Sequence, residues 1–376
     1  MKISINAKGC VTDMLRYPKL RQRVFAAAVA SATLCALGTS AFAAAQKQKL
    51  DELTVALNLS ALGAQPVVLL AENNGYFEEE GLKVNFAPLQ TGVMEALSIG
   101  KVDAYMNGIT PPLTYGNKKA NVKIYAGTAS GGVFAIAKAG REDELKDPKN
   151  WRGLTLVTTT LSTSEHIIRI GLAERGIDFK EVRHVEVDTD NNIIEAIRKG
   201  TADVGFLLPE YGVRVRDLGV AILFPNTDLV HDYVCCRQSG NSKAIEENRP
   251  AYVKFLQAQI RAYKDYVNDE EKTVKLLSKF TNQTEDYVRA IVYDPVRSAE
   301  RKYNPDPNLK GTLAFYTSLI DSGYLDGRVR LTEFFDTSIY EEALGNIIAR
   351  YPDDEFYKDM RKVFEESNLN VSGKYL

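Results

Sequence analysis

From residue 50 onward, short apolar runs alternate with longer segments whose apolar positions recur at helical spacing. Residues 53–57, 82–86, 102–106 and 122–126 have the length and the β-branched or aromatic content of strands. Residues 66–77 read as a helix opened by Pro66 and closed near Gly75, and 92–99 as a short helix ending at Gly100. Strands separated by helices of this length predict right-handed βαβ units and a mainly parallel sheet. The pattern restarts at Trp151 with a strand at 154–157, a helix at 162–175 closed by Gly176, and a strand at 182–187.

The wording itself then repeats. EALSIGKVDA at 95–104 returns as EAIRKGTADV at 195–204. In both, a helix stops at a Gly suited to the left-handed C′ position, and a strand starts near an Asp. Two copies at equivalent places predict two similar lobes. A polar stretch at 141–148 separates them, and beyond Tyr233 the pattern turns helical at 249–267, 270–280, 284–292 and 308–322. In the first of these helices Leu256, Ile260, Tyr263 and Val267 form a packing stripe. The charged tail beyond Pro352 reads as an amphipathic surface helix.

Ligands of open α/β sheets bind beyond the carboxyl ends of the strands. The loops there supply the candidate site: Asn58 and Ser60, Gln90 and Thr91, Asn107 and Thr110, Ser130 and Gly131, Thr159, Thr160, Ser162, Thr163 and His166, Glu210 and Tyr211, with Tyr233 further on. The run from Thr158 to Ser164 places six hydroxyls in seven residues at a helix start, where backbone N–H groups and the macrodipole favour a carboxylate, sulfonate or phosphate. Ser162 with Glu165 also fits a capping box. No Arg lies in these loops, and Arg237 is the nearest. Asn58, Asn107, Thr110 and the hydroxyl run therefore suit a neutral or weakly anionic organic solute, and the Tyr side chains suit a flat ring.

Composition narrows the field further. With 47 basic and 49 acidic residues the chain lacks the positive surplus that nucleic acid would need. No G-x-S-x-G elbow, H-E-x-x-H helix, P-loop or paired C-x-x-C occurs, so no catalytic residue, metal site or cofactor is expected. Lys2, Lys8, Arg16, Lys19, Arg21 and Arg23 precede an apolar run at 24–37, and Ala41-Phe42-Ala43 offers a cleavage site. That arrangement predicts a secretory signal peptide over 1–43, with Met14 an alternative start, and an exported mature chain. Its loss removes six basic groups and one acidic group, leaving a net charge of −7. Only Cys235 and Cys236 then remain. Adjacent strand residues point to opposite faces, so two unpaired core thiols are expected.

The segment Asn74-Gly75-Tyr76-Phe77 through Gly81-Leu82-Lys83-Val84 resembles the G-Y-F-x-x-E-G-L-x-V signature of periplasmic substrate-binding proteins of the nitrate/sulfonate/taurine ABC transporter class, which also holds pyrimidine-precursor binders and synthases (SsuA/THI5-like). Residues 95–104, Trp151-Arg152-Gly153-Leu154, 159–167, 248–267 and 332–343 resemble further segments of that class. Arg249-Pro250 departs in order from its N-P-E return motif. The resemblance covers about residues 50–345 and implies a two-lobed type II Venus-flytrap fold. It divides the chain into 50–139 (lobe 1), 140–233 (lobe 2) and 234–376 (return to lobe 1), crossing near Ala139. It implies a monomeric periplasmic protein that binds a small solute between its lobes and presents it to an inner-membrane ABC permease. The rivals are a synthase-like enzyme, which would use Cys235-Cys236, and a ligand-sensing ectodomain.

Overall fold

The computed structural model describes residues 50–57, 65–89, 92–212, 215–231 and 233–376, which lie within one compact unit, Gln48–Leu376. The strands are β1 (Asp51–Leu57), β2 (Leu82–Pro88), β3 (Ala104–Gly108), β4 (Val122–Ser130), β5 (Phe134–Lys138), β6 (Thr155–Thr159), β7 (Arg183–Val187), β8 (Val204–Leu207), β9 (Val220–Pro225), β10 (Val234–Asn241) and β11 (Lys302–Tyr303). They form two sheets flanked by helices, in the orders β11-β4-β10-β3-β1-β2 and β7-β6-β8-β5-β9.

The internal echo is a structural repeat. Gly100 and Gly200 both adopt left-handed backbone, at φ 73° and 70°. Each is followed by an Asp that grips the first strand of its own βαβ series, β1 or β6. The Asp103 carboxylate accepts from the Thr54 amide at 2.7 Å, and the Asp203 carboxylate accepts from the Thr155 amide at 2.9 Å. The Asp amides return the bond to Thr54 and Thr155 carbonyls at 2.7 and 2.8 Å. One short motif thereby sets the register of β3 on β1 and of β8 on β6.

The βαβ strands pair in parallel, β1 with β2 and β3, and β6 with β7 and β8. Antiparallel neighbours complete both sheets: β10 lies between β3 and β4, and β5 between β8 and β9. Each sheet is therefore mixed, because the two strands that carry the chain between sheets run back against the βαβ strands. The passage from first sheet to second falls between Ser130 and Phe134, earlier than the crossing expected near Ala139. Gly131 and Gly132, at φ 68° and 80°, make the turn, and Ala135, Ile136 and Ala137 are already fully buried in the second sheet. The return runs from Pro225 to Val234.

The expected helix at 66–77 is two helices, Pro66–Asn73 and Tyr76–Glu79, broken at Gly75 with φ 75°. The helix Arg249–Asn268 packs under the first sheet through Tyr252, Phe255, Leu256 and Ile260. Val267 is 49% exposed and leaves the stripe where the helix ends. A second apolar core joins the two sheets: Ile109, Leu113 and Ile124 of the first meet Leu156, Ile167 and Phe206 of the second, with Leu313, Phe315 and Leu319 of the helix Leu309–Asp321. No helix among the described residues is long and apolar enough to cross a membrane.

Candidate functional site

The carboxyl ends of the two sheets meet. From the first, β3 runs through Gly108 into the helix Thr110–Asn117; from the second, β6 runs through Thr159 into the helix Thr163–Glu174. The hydroxyls of Thr110 and Thr163, both buried, lie 3.4 Å apart. The approach depends on Gly108, where a Cβ would stand 2.9 Å from the Thr163 hydroxyl. Two helix N-termini, one from each sheet, thus face a common seam.

The hydroxyl run before the second helix divides its labour. The Thr158 hydroxyl is buried on the His184 ring at 2.9 Å. The Thr160 amide extends the β6–β7 ladder by donating to Val187 O, with its side chain exposed. Ser162 caps the helix, its hydroxyl accepting from the Ser164 amide at 3.1 Å, and the structure has this simple cap rather than the expected capping box, because Glu165 turns to Arg169 at 2.5 Å. Thr159 is half-buried, and Thr163 alone reaches the opposite sheet. Leu161 between them holds φ 56°, a region that costs a non-glycine residue about 1–2 kcal/mol. The loop is held in shape by its surroundings.

His166 is taken up by packing against the helix Leu309–Asp321 and the turn that follows it. Its ring is buried against Tyr324 (centroids 4.1 Å apart) and Phe315 (6.2 Å), and neither ring nitrogen has a hydrogen-bond partner. Burial, with the Arg169 charge adding, pushes its pKa down to about 3, so the imidazole is neutral at physiological pH. His166→Phe is therefore expected to hold or raise the melting temperature, since an apolar ring removes two unsatisfied nitrogens. A fall of several degrees would show that the nitrogens are engaged.

A second cluster gathers where the chain crosses between sheets, and its centre, Arg301, was not among the residues that the sequence singled out. The Arg301 guanidinium donates to both oxygens of Glu210, each at 3.1 Å, with both side chains 4% exposed or less. Glu210 follows β8 of the second sheet, whereas Arg301 leads into β11 of the first. Beside it, the Thr227 hydroxyl donates to the Glu300 carboxylate at 2.7 Å and the Gly132 amide to the Ala299 carbonyl at 2.9 Å. A Cβ at Gly131 would meet the Glu300 carbonyl at 2.6 Å, and one at Gly132 would meet Arg301 Nε at 2.3 Å. Ala299 and Glu300 are both left-handed, at φ 54° and 55°. The segment is a clasp: it touches both crossing stretches and ties one sheet to the other. Ser130 ends β4 next to it, half-buried.

Other expected site residues surround this clasp. Tyr233 is buried, and its hydroxyl faces the neighbouring Asn226 amide without a hydrogen bond of good geometry. Burial, reinforced by Asp190 and Glu210, raises the phenol of half-buried Tyr211. Burial likewise pushes Asp190, at the next helix start, up to about 6. Cys235 and Cys236 are free thiols. Contrary to the expectation of opposite faces, register shifts in β10 bring their sulfurs to 3.4 Å. Asn58, Ser60, Gln90 and Thr91 lie outside the described residues, as do the signal segment 1–43 and the side chain of Asn107. Among the described residues no group of three or more His, Cys, Asp or Glu is placed to hold a metal ion.

Arg237 is 3% exposed; it donates to the Cys236 carbonyl at 2.8 Å, and its Nε is unpartnered. The acid within its electrostatic reach is Asp306, pushed up to about 6 by burial against the pull of Asn368, the Asn308 amide and Arg237. A carboxyl that protonates more readily folded than unfolded stabilises the fold below about pH 4. That stability is lost as pH rises through about 6. Asp306→Asn removes the contribution, so in urea unfolding wild type should lose up to about 3 kcal/mol relative to the variant between pH 4 and 7. A difference independent of pH would contradict the buried state of this carboxyl.

A family model described as NMT1/THI5 like matches residues 66–273. No curated protein sequence matches the chain. Among solved structures, the periplasmic nitrate-binding protein NrtA from Synechocystis PCC 6803 is similar with a TM-score of 0.65 at 15% identity, over 80% of this chain and 89% of NrtA. The periplasmic aliphatic sulphonate binding protein SsuA from Escherichia coli gives 0.61 at 15% identity, over 77% of this chain and 99% of SsuA. The desulfurization enzyme DszB gives 0.56 at 13% identity, over 79% and 99%. At these identities the likeness is one of fold.

Proposed function

The chain belongs to the NMT1/THI5-like family, and we propose that it is an extracytoplasmic solute-binding protein that captures a small organic solute between its two lobes. The observation that carries this reading is the meeting of two helix starts, Gly108–Thr110 and Ser162–Thr163, across the seam. Hydroxyls on both walls, with the first-turn N–H groups of the second helix, let one ligand bind both lobes only when they close, which shifts an open–closed equilibrium. The buried Asn226 amide and Tyr233 hydroxyl, each short of its full hydrogen bonds, support a solute with both donor and acceptor groups. We assign it to the sulfonate, aromatic or pyrimidine-like class.

The rest of the reading follows from capture. Segment 1–43 directs export to the periplasm, and the mature chain works as a monomer that delivers its solute to an ABC permease in the inner membrane. Residues 50–130 and 234–376 make one lobe and 134–225 the other, with the chain passing between them at 131–133 and 226–233. The solute contacts come from the proposed loops after β1, β2 and β3 (Asn58, Ser60, Gln90, Thr91, Asn107 and Thr110) and after β6 and β8 (Thr159, Thr160, Ser162, Thr163, Glu210 and Tyr211). A fold shared with both binding proteins and DszB does not decide between capture and catalysis. The close Cys235–Cys236 pair is the feature that favours the enzyme reading.

Thermal unfolding of residues 44–376 against a panel of alkanesulfonates, taurine, nitrate, aminopyrimidines, aromatic acids and pyridoxal phosphate tests the proposal. A solute at 100 times its dissociation constant adds about 2.7 kcal/mol. A saturable shift with one organic solute and no turnover is the expected result. A shift confined to pyridoxal phosphate with iron would overturn it in favour of the synthase.

A further inference from the structure

The strand that returns the chain to the first sheet opens with two thiols side by side. Cys235 is buried and Cys236 is partly exposed. In a regular strand their side chains would diverge, but the register of β10 against β4 shifts on both sides of Cys236, and the sulfurs stand 3.4 Å apart. A disulfide needs about 2.05 Å, so closure requires a movement of roughly 1.4 Å, the gap between those distances. Adjacent Cα atoms are about 3.8 Å apart, shorter than the ~4.4–6.8 Å that disulfides usually span. The ring is therefore strained and easily reduced, which is the property of labile bridges rather than structural ones.

The two thiols also differ in chemistry. The hydrogen bond between the two sulfurs, and the nearby Arg301 and Arg237 charges, hold Cys236 below the usual thiol range against burial. Cys235 is raised, by the thiolate it serves and by burial. Cys236, the less buried of the two residues, thus also carries the better nucleophile.

We propose that Cys235 and Cys236 are a redox-active vicinal dithiol that closes reversibly to an eight-membered disulfide ring, with a small-molecule disulfide as oxidant. The Cys236 thiolate attacks one sulfur of that disulfide, forming a mixed disulfide and expelling one thiolate, which takes up a proton. Cys235 then gives up its proton and attacks Cys236 Sγ, and the second small thiol leaves. Two protein thiols lose two electrons and two protons, and one small disulfide becomes two thiols. The Cys235 carbonyl accepts from the Ile109 amide at 2.7 Å, so the ring forms next to the helix start at Thr110. The dithiol chemistry stands independently of which solute the seam binds.

The test treats the folded full chain with oxidised glutathione, blocks remaining thiols with N-ethylmaleimide in acid, and maps peptides by mass. The peptide holding both cysteines should be two hydrogens lighter, carry no maleimide, and revert with dithiothreitol. In Cys235→Ser the reaction should stop at a glutathione adduct on Cys236, and Cys236→Ser should react at least tenfold more slowly. Two maleimides on the wild-type peptide, a persistent glutathione adduct on it, or a cross-link between chains would each overturn the proposal. The wild-type map decides even if a variant fails to fold.

Discussion

Arg301→Ala should destabilise the protein by about 3–5 kcal/mol, the cost of leaving a buried charge without its partner. In a melt this is on the order of 10 °C for a domain of this size. The cause is specific: Glu210, 3% exposed, accepts a bidentate pair of hydrogen bonds from Arg301. The neighbouring Ala299 and Glu300, whose left-handed backbones each cost about 1–2 kcal/mol, are held by contacts to Gly132 and Thr227. The double variant Arg301→Met, Glu210→Leu removes both charges and should recover most of the loss, because apolar replacement of a buried pair is often neutral. A single variant within 1 kcal/mol of wild type would mean that the clasp does not hold the sheets together.

Gly108→Leu should weaken solute binding about 5- to 150-fold while the ligand-free melting temperature changes little. The added side chain grows from a Cβ already 2.9 Å from the Thr163 hydroxyl. Overpacking costs about 1–3 kcal/mol, and the ligand-free protein escapes it by parting the seam. The bound form cannot, so the whole cost appears in the dissociation constant. Gly108→Ala should do less, since the Thr163 hydroxyl has only to shift by tenths of an ångström. Calorimetry with the solute found in the panel measures both. Unchanged affinity in the Leu variant would separate binding from the meeting of the two helix starts.

How much of this was legible in the sequence depends on the range of the interaction involved. The βαβ order, the helix starts at Pro66 and Ser162, and the repeat around Asp103 and Asp203 are local signals, and each survives in the structure. The antiparallel strands β5, β9 and β10 were not legible, because an apolar run such as residues 134–138 states its burial but not its direction. The hydroxyl run announced a helix start facing a seam. It did not announce that Thr158 would be taken by His184, or Ser162 by its own helix. His166 looked like a ligand contact from its place in the first turn, yet the ring faces Tyr324 and Phe315, which come from more than 140 residues later in the chain. Arg301 was missed for the same reason: Glu210 is 91 residues away, and the pairing depends on two left-handed residues that carry no sequence signature. A Gly-Gly pair at the crossing was the one available hint that something packs closely there.

The most direct test of the account is hydrogen exchange of the mature chain with and without the solute that raises its melting temperature. Capture between the lobes predicts that the amides of residues 108–110 and 162–166 gain protection together, with the same dependence on solute concentration. Protection of one helix start alone, or of a distant surface with both starts unchanged, would contradict it.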